Sequence, residues 1–300
     1  MCKFDITQFV RALTERLEFS ASDVETLCSA LDKILENAGN EEELYAILAL
    51  YDESERCDYK AMMGRMKTLA ESVGVHEYTA QMLLYLAMAK KLRERYDERG
   101  IDEEIYYNSL KDIKYKCEEC KLVKGIVGSF VASWFSGFYN LTRFALGRLQ
   151  FEVLHMKNEY EVAGIKIDES TPVINIHIPR TGGRLVHEEV LASYAQAAEF
   201  FKKETEGYPT IFRCQSWMLF PWNMSVLAPD SNMAKFYSDF IIIAEGTYES
   251  YADVWRLFDT EYNGNPDDLP ANTSLRRAYI ERMKRGEPLG YGHGFIIYKA

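Results

Sequence analysis

Ile174-Asn175-Ile176-His177-Ile178-Pro179-Arg180-Thr181-Gly182-Gly183-Arg184-Leu185 decides how the second half of the chain folds. Its first five residues alternate apolar β-branched side chains with polar ones, the period-two pattern of a strand with one face in a core. Pro179 ends the pairing and Gly182-Gly183 turn the chain. Residues 186–204 follow with Val190, Leu191, Tyr194, Ala198 and Phe201 along one side of a helix. A strand, a glycine pair and a helix N-terminus make a phosphate cradle: glycine lets backbone approach the ligand, and the first-turn N–H groups have no partners in the helix. Arg180 and Arg184 add charge-assisted donors. The stretch is neither a lysine-bearing P-loop nor a G-x-G-x-x-G fingerprint, lacking both the third glycine and the Lys-Ser/Thr. A glycine pair between strand and helix also serves as a plain tight turn, and the residues alone leave both readings open.

Outward from that stretch, residues 149–157 and 160–168 have strand character, with Asn158-Glu159 as the hairpin turn between them. Residues 171–179 form a third strand opened by Pro172, and 210–220 a fourth. A short helix over 231–240 runs into a fifth strand at 241–244. Asn263-Gly264-Asn265-Pro266 is a loop, 274–285 a helix and 294–299 a closing strand. Gly290-Tyr291-Gly292-His293-Gly294, just before that strand, has the composition of a turn, either a plain loop or one lining a cleft beside the final strand. The first hundred residues are helical throughout. Ser22-x-x-Glu25 and Asn40-x-x-Glu43 have the form of capping boxes. Asp58 begins a helix with Met62, Met66 and Leu69 that Gly74 closes, and residues 78–95 carry Met82, Leu86 and Met88 inward. The fold class expected is α+β: an all-helical N-terminal domain over residues 1–125, then a mixed α/β domain over 126–300 with a central, mostly antiparallel sheet.

Composition narrows the partners. Three hundred residues exceed what one core usually holds, and 47% apolar with 27% charged side chains is ordinary for a folded protein. The net charge is −11, with six basic and fourteen acidic side chains in residues 1–60. Without a basic stripe the chain is not expected to hold nucleic acid or an anionic membrane. Six cysteines are too sparse for a disulfide framework, and no leader opens the sequence, so a cytoplasmic location is expected. Gly125 to Thr142 runs without a charge, but Ser129, Ser133, Ser136, Asn140 and Thr142 interrupt it. A membrane span needs about 20 predominantly apolar residues, so a buried helix at the domain joint is the expectation. Cys117-x-x-Cys120 is half a zinc site with no second pair, and His155 is isolated; a helical dithiol and no metal are expected.

The chain resembles a known family. A strand, a loop of form Arg/Gln-x-x-Gly-x-Gly/Ala, a helix, a strand and a helix form the acyl-CoA-binding core of the GNAT acyltransferase superfamily. Arg180-x-x-Gly183-x-Leu185 matches the first two loop positions and departs at the third. The whole chain resembles a bacterial group of acyltransferases with a helical N-terminal domain and a GNAT-like C-terminal domain. The residues carrying this are Gly147-Arg-Leu-Gln-Phe-Glu152, His177-Ile-Pro, Gly183-Arg-Leu with Ser193, Cys214-Gln-Ser-Trp217, and Ser231-Asn232 with Phe236 and Phe240.

That resemblance implies an acyl-CoA or acetyl-CoA co-substrate, without metal, and direct transfer to a small-molecule or peptide amine. The CoA-binding residues it implies are Ile178, Arg180, Gly182, Gly183, Arg184, Leu185 and Asn232, with the acyl-pantetheine arm between strands 173–179 and 210–220. Transfer needs a base for the amine proton. Alternation sets Asn175 and His177 opposite Ile174, Ile176 and Ile178, and a histidine titrating near neutrality is a credible base. A hydrogen-bonded structural histidine is the other reading. Glu152 is the second candidate, since a carboxylate in an apolar strand is costly unless paired. Ser216 and Tyr237 are the candidates for assisting the leaving thiolate. Cys214 is either a nucleophile or a small buried residue. The acidic helical domain is expected to face a cationic acceptor. The rival readings are a non-catalytic GNAT-like module that binds CoA or another phosphorylated ligand, and a pure interaction protein.

Overall fold

The computed structural model describes residues 5–55, 57–181 and 183–299. Two compact units meet between Phe144 and Ala145. The first is helical: α1 (Ile6–Arg16), α2 (Ala21–Leu35), α3 (Ala38–Glu53), α4 (Tyr59–Glu71), α5 (Glu77–Glu98), α6 (Glu103–Lys124) and the one-turn α7 (Ser136–Tyr139). Each of the first six starts at a side chain that takes a first-turn backbone N–H: Asp5, Ser20, Asn37, Asp58, His76 and Asp102. Such caps stabilise a helix by about 1 kcal/mol each. The starts expected at Ser22 and Asn40 are therefore corrected. Ser20 and Asn37 hold the extended conformation a cap requires, and Ser22 and Asn40 already lie within the first turns.

Helix α5 is buried from Met82 through Ala89 and again at Leu92 and Tyr96, so it forms the centre of this unit. Around it the buried Tyr51 hydroxyl donates to the Tyr139 carbonyl at 3.0 Å, and Tyr106 donates to the Ala89 carbonyl at 2.9 Å. Residues 125–142 are not one buried helix. Gly125 closes α6 in the left-handed conformation, and at Gly128 a Cβ would stand 2.4 Å from the Tyr78 carbonyl carbon. The chain there lies on backbone, where a continuous helix has no room. Among the described residues no helix is long and apolar enough to cross a membrane.

The second unit contains β1 (Arg143–Leu146, at the boundary), β2 (Leu149–His155), β3 (Tyr160–Val162), β4 (Ile165–Ile167), β5 (Pro172–His177), α8 (His187–Phe200), β6 (Ile211–Ser216), α9 (Asn232–Ser238), β7 (Ile241–Thr247), α10 (Trp255–Phe258), α11 (Ser274–Lys284) and β8 (Gly290–Ile297). Six strands form one sheet in the order β1-β2-β5-β6-β8-β7. The β2–β5, β6–β8 and β7–β8 pairs are antiparallel, and β5–β6 is parallel. Residues 160–168 are a hairpin of their own rather than one strand, because Ala163 and Gly164 both take positive φ and turn the chain. The expected turn at 158–159 is thus replaced by one at 163–164, and β2 pairs with β5 instead.

One face of the sheet meets α8: Tyr194 packs 5.2 Å from Phe212, which lies 5.9 Å from Phe151. On the other face the β3–β4 hairpin brings Val162 and Ile167 onto Val173, Ile211 and Phe295. Along that second face, toward the C-terminal ends of β5 and β6, the side chains turn polar. Strand β8 begins at Gly290, four residues before the expected position. A Cβ at Gly292 would lie 1.9 Å from the Leu219 carbonyl oxygen, and one at Gly290 would meet the Phe220 ring at 2.4 Å. The glycines that resemble a turn in sequence instead let residues 219–220 lie flush on a strand.

Candidate active site

Strands β5 and β6 pair only at Ile174–Phe212 and Asn175–Arg213. Beyond that register Ile176 and His177 on β5 have no partner in β6, so the two strands part toward their C-terminal ends. The strand order across the sheet aligns one polar row. Glu152 on β2 stands opposite Asn175, Asn175 opposite Arg213, and Gln215 on β6 opposite His293 on β8.

The row is hydrogen-bonded end to end. His177 Nε2 lies 2.6 Å from Glu152 Oε1 and 3.0 Å from Asn175 Nδ2. Arg213 donates through Nη1 to Asn175 Oδ1 at 2.7 Å, through Nε to His293 Nε2 at 3.0 Å and through Nη2 to Gln215 Oε1 at 2.7 Å. Glu152 and His177 keep 14% and 20% of their side-chain surface exposed, so neither is sealed in the core. Deeper in the row, burial and the Arg213 charge push His293 down to about 4, so it accepts from Arg213 as the neutral ring. Burial likewise lowers Arg213 from its ordinary value.

The loop leading to α8 is braced from below. The Arg148 side chain donates to the Pro179 carbonyl at 3.1 Å and to the Arg184 carbonyl at 3.4 Å, and its backbone N–H donates to Ser193 Oγ at 2.7 Å. Gly147 must lack a side chain there, since a Cβ would stand 2.6 Å from Ser193 Oγ. Gly183 N–H donates to Thr181 Oγ1 at 3.3 Å, and no side chain caps α8 at Val186. Arg184 is exposed and Ile178 and Leu185 are half-buried. Arg180 is already engaged: its guanidinium binds Asp259 at 2.8 Å, and Asp259 also takes Arg276 at 2.6 Å. Gly182 lies outside the described residues.

Of the proposed chemical groups, the structure brings Glu152 and His177 together. Ser216 Oγ accepts from the Met218 N–H at 3.2 Å at the end of β6. Tyr237 and Asn232 belong to α9, and burial together with Glu245 raises the Tyr237 hydroxyl, keeping it protonated. Cys214 is buried on the α8 face and its thiol is pushed up to about 12, so it stays a thiol. Cys117 and Cys120, buried on α6, are pushed up by burial to about 12 and about 11. Among the described residues no group of three or more His, Cys, Asp or Glu stands where it could hold a metal.

Three groups were not singled out from the sequence. Arg213 is a lone cation within an apolar strand, and that oddity was its only signal. His293 is hidden between glycines. The His187–Asp239 contact, 2.9 Å, joins residues fifty-two apart that no spacing rule connects.

A mostly antiparallel sheet with one parting parallel pair, packed on one face by the helix that joins the two strands of that pair, is a GNAT-like architecture. Residues 143–296 match the family described as a GNAT-like C-terminal domain, and residues 8–141 match the N-acyltransferase N-terminal domain. The chain belongs to this N-acyltransferase family, a class of acyl-CoA-dependent acyltransferases. It is similar to a crystal structure of an acyltransferase in complex with decanoyl-CoA and teicoplanin, at 23% identity and a TM-score of 0.75 over 96% of this chain and 87% of that one. An acyltransferase mutant in complex with octanoyl-CoA matches at 24% identity and a TM-score of 0.77, over 97% and 88%. A third acyltransferase structure, with CoA and 10C-teicoplanin, matches at 24% identity and a TM-score of 0.75, over 97% and 88%. At such identities the likeness is one of fold. No curated protein matches the chain.

Proposed function

We propose that the chain transfers the acyl group of an acyl-CoA directly to an amine, with the Glu152–His177 pair taking the amine proton. The observation that carries this is the placement of that pair, 2.6 Å apart, beside the point where β5 and β6 separate. The pantetheine arm lies in that separation, and the amine nitrogen attacks the thioester carbonyl carbon. A C–N bond forms, the C–S bond breaks, the amine proton passes to His177, and the thiolate takes a proton from Ser216 or Tyr237. Ser216 suits this because its oxygen accepts from the Met218 N–H, which leaves its own O–H available to donate. The pyrophosphate rests on the backbone of residues 178–181 and 183–185 and the start of α8, which no side chain caps, with the exposed Arg184 as a cation and Asn232 on α9 next in sequence to its cap Ser231. Arg180 reaches phosphate only by sharing or leaving Asp259. All donor chemistry then lies within residues 126–300, and the cytoplasm is the compartment this reading implies.

The acceptor to try first is an amine-bearing glycopeptide, since teicoplanin accompanies the acyl-CoA in a structure of the same fold. The test is release of free CoA thiol from acetyl-, octanoyl- and decanoyl-CoA with a panel of amines that includes teicoplanin. Amine-dependent release, lost in His177→Ala, is expected. Release that no amine accelerates overturns the proposal.

A further inference from the structure

The two neighbours of His177 Nε2 make opposite demands on it. Glu152 Oε1, 2.6 Å away, is an acceptor that favours a proton on the nitrogen, and a carboxylate there favours the imidazolium. Asn175 Nδ2, 3.0 Å away, is a donor that favours the bare lone pair. Which end of the Asn175 amide faces the ring is therefore decisive, and Arg213 settles it. Its Nη1 donates to Asn175 Oδ1 at 2.7 Å, and a guanidinium has no acceptor to offer a turned amide. Arg213 is itself fixed by Gln215 and by His293, so it cannot follow a turning amide without giving up two bonds. Asn175 is 3% exposed, which leaves no water to compensate a reversed amide.

We propose that Arg213, acting through Asn175, is a positioning residue that opposes Glu152 and keeps His177 able to lose its proton near neutrality. It acts on the ring by aiming the Asn175 amide N–H at the nitrogen facing Glu152. Among the described residues, Glu152 from β2 meets His177 directly, Arg213 from β6 reaches it through Asn175, and His293 from β8 stands behind Arg213, with the Tyr160 ring from β3 edge-on to His293 at 5.4 Å. Glu152 stabilises the imidazolium. Arg213 repels it by charge and, through Asn175, by hydrogen-bond direction. A base that held its proton firmly could not take a second from the amine, so the opposition suits the role given to His177 above, on which this inference rests.

The experiment is titration of the His177 ring by NMR in the full chain with 13C,15N-labelled histidine, assigned with His177→Gln. It reads protonation at that ring whether or not transfer occurs, so its failure is distinct from failure of the proposed reaction. Asn175→Leu removes the donor and keeps the Arg213 charge; the His177 midpoint rises by roughly one pH unit, about tenfold in the protonation equilibrium. Asn175→Asp, which still accepts from Arg213 if the leucine variant fails to fold, raises it further by replacing the donor with a charged acceptor. Arg213→Gln raises it as well. A wild-type midpoint retained in folded Asn175→Leu or Asn175→Asp overturns the proposal and leaves Arg213 as a remote charge only.

Discussion

The Glu152–His177 pair on β2 and β5 and the His187–Asp239 pair joining α8 to the end of α9 contain the same functional groups at similar separations, 2.6 and 2.9 Å. Their surroundings differ. His187 Nε2 meets both Asp239 oxygens, at 2.9 and 3.1 Å, and the Tyr194 hydroxyl adds a donor at 3.3 Å, so every group points inward. Burial nevertheless raises Asp239 above the ordinary aspartate value, the cost of holding a carboxylate between two helices. His177 Nε2 lies 2.6 Å from Glu152 Oε1, faces an amide donor at 3.0 Å, and lies where the sheet parts. The His187–Asp239 pair is a closed tie that fixes α8, the helix after the glycine-bearing loop. The Glu152–His177 pair is an unbalanced contact, the kind of pair the proposed proton transfer would use.

The strongest way to break this contrast is His177→Ala. Thiol release with an amine acceptor is expected to fall by about 10²–10⁴-fold, the usual worth of a general base, with CoA affinity by calorimetry little changed. An equal fall in His187→Ala would erase the distinction. Next comes the pH response of the polar row. His293 is held neutral in the fold, so its contribution is complete above about 6.5 and drains as pH falls from there through about 4. Wild type should lose roughly 3 kcal/mol relative to His293→Gln over that interval in urea unfolding, a figure that follows from the size of the pKa change. Parallel pH profiles for the two proteins would place His293 in water. The structural tie is smaller: His187→Ala should cost about 1–2 kcal/mol of stability in the same measurement. Arg148→Ala removes one brace of the loop and should weaken CoA binding by about three- to tenfold, about one hydrogen bond's worth; unchanged affinity would mean the loop holds its shape alone.

Much of this was legible in the residues. The Ile174–Ile178 alternation placed Asn175 and His177 on one face, and the cost of a strand carboxylate flagged Glu152 before any pairing was known. Periodicity found the helices from α2 to α5 but missed two caps, because Ser20 and Ser22, or Asn37 and Asn40, are equally good residue types and only backbone conformation separates them. The glycines of β8 misled for a related reason. Glycine marks both a turn and a place where backbone crosses close, and Leu219 supplies the crossing from seventy-three positions away. Pairings such as Arg213 with Asn175 or His187 with Asp239 are set by tertiary register, which local pattern does not carry. The same limit applies to Arg180: its sequence context suggested an open phosphate ligand, and Asp259, at the end of α10, occupies it.

Strand β7 touches the sheet only through β8, which inserts between it and β6. Its burial is shallow, Ile241 is 45% exposed, and its ladder is interrupted between Ile242 and Ala244. During synthesis, β7 therefore emerges with no neighbour and must wait for the forty-two residues between Thr247 and Gly290 to follow before its amides are satisfied. β6 waits beside it with one side of its ladder open. Both edges are closed by the same late event, the arrival of a glycine-rich strand that contributes few side chains of its own to nucleation. Closure of this sheet is thus a long-range, slow step, and the nascent chain passes through a stage with two exposed strand edges that invite pairing with other chains.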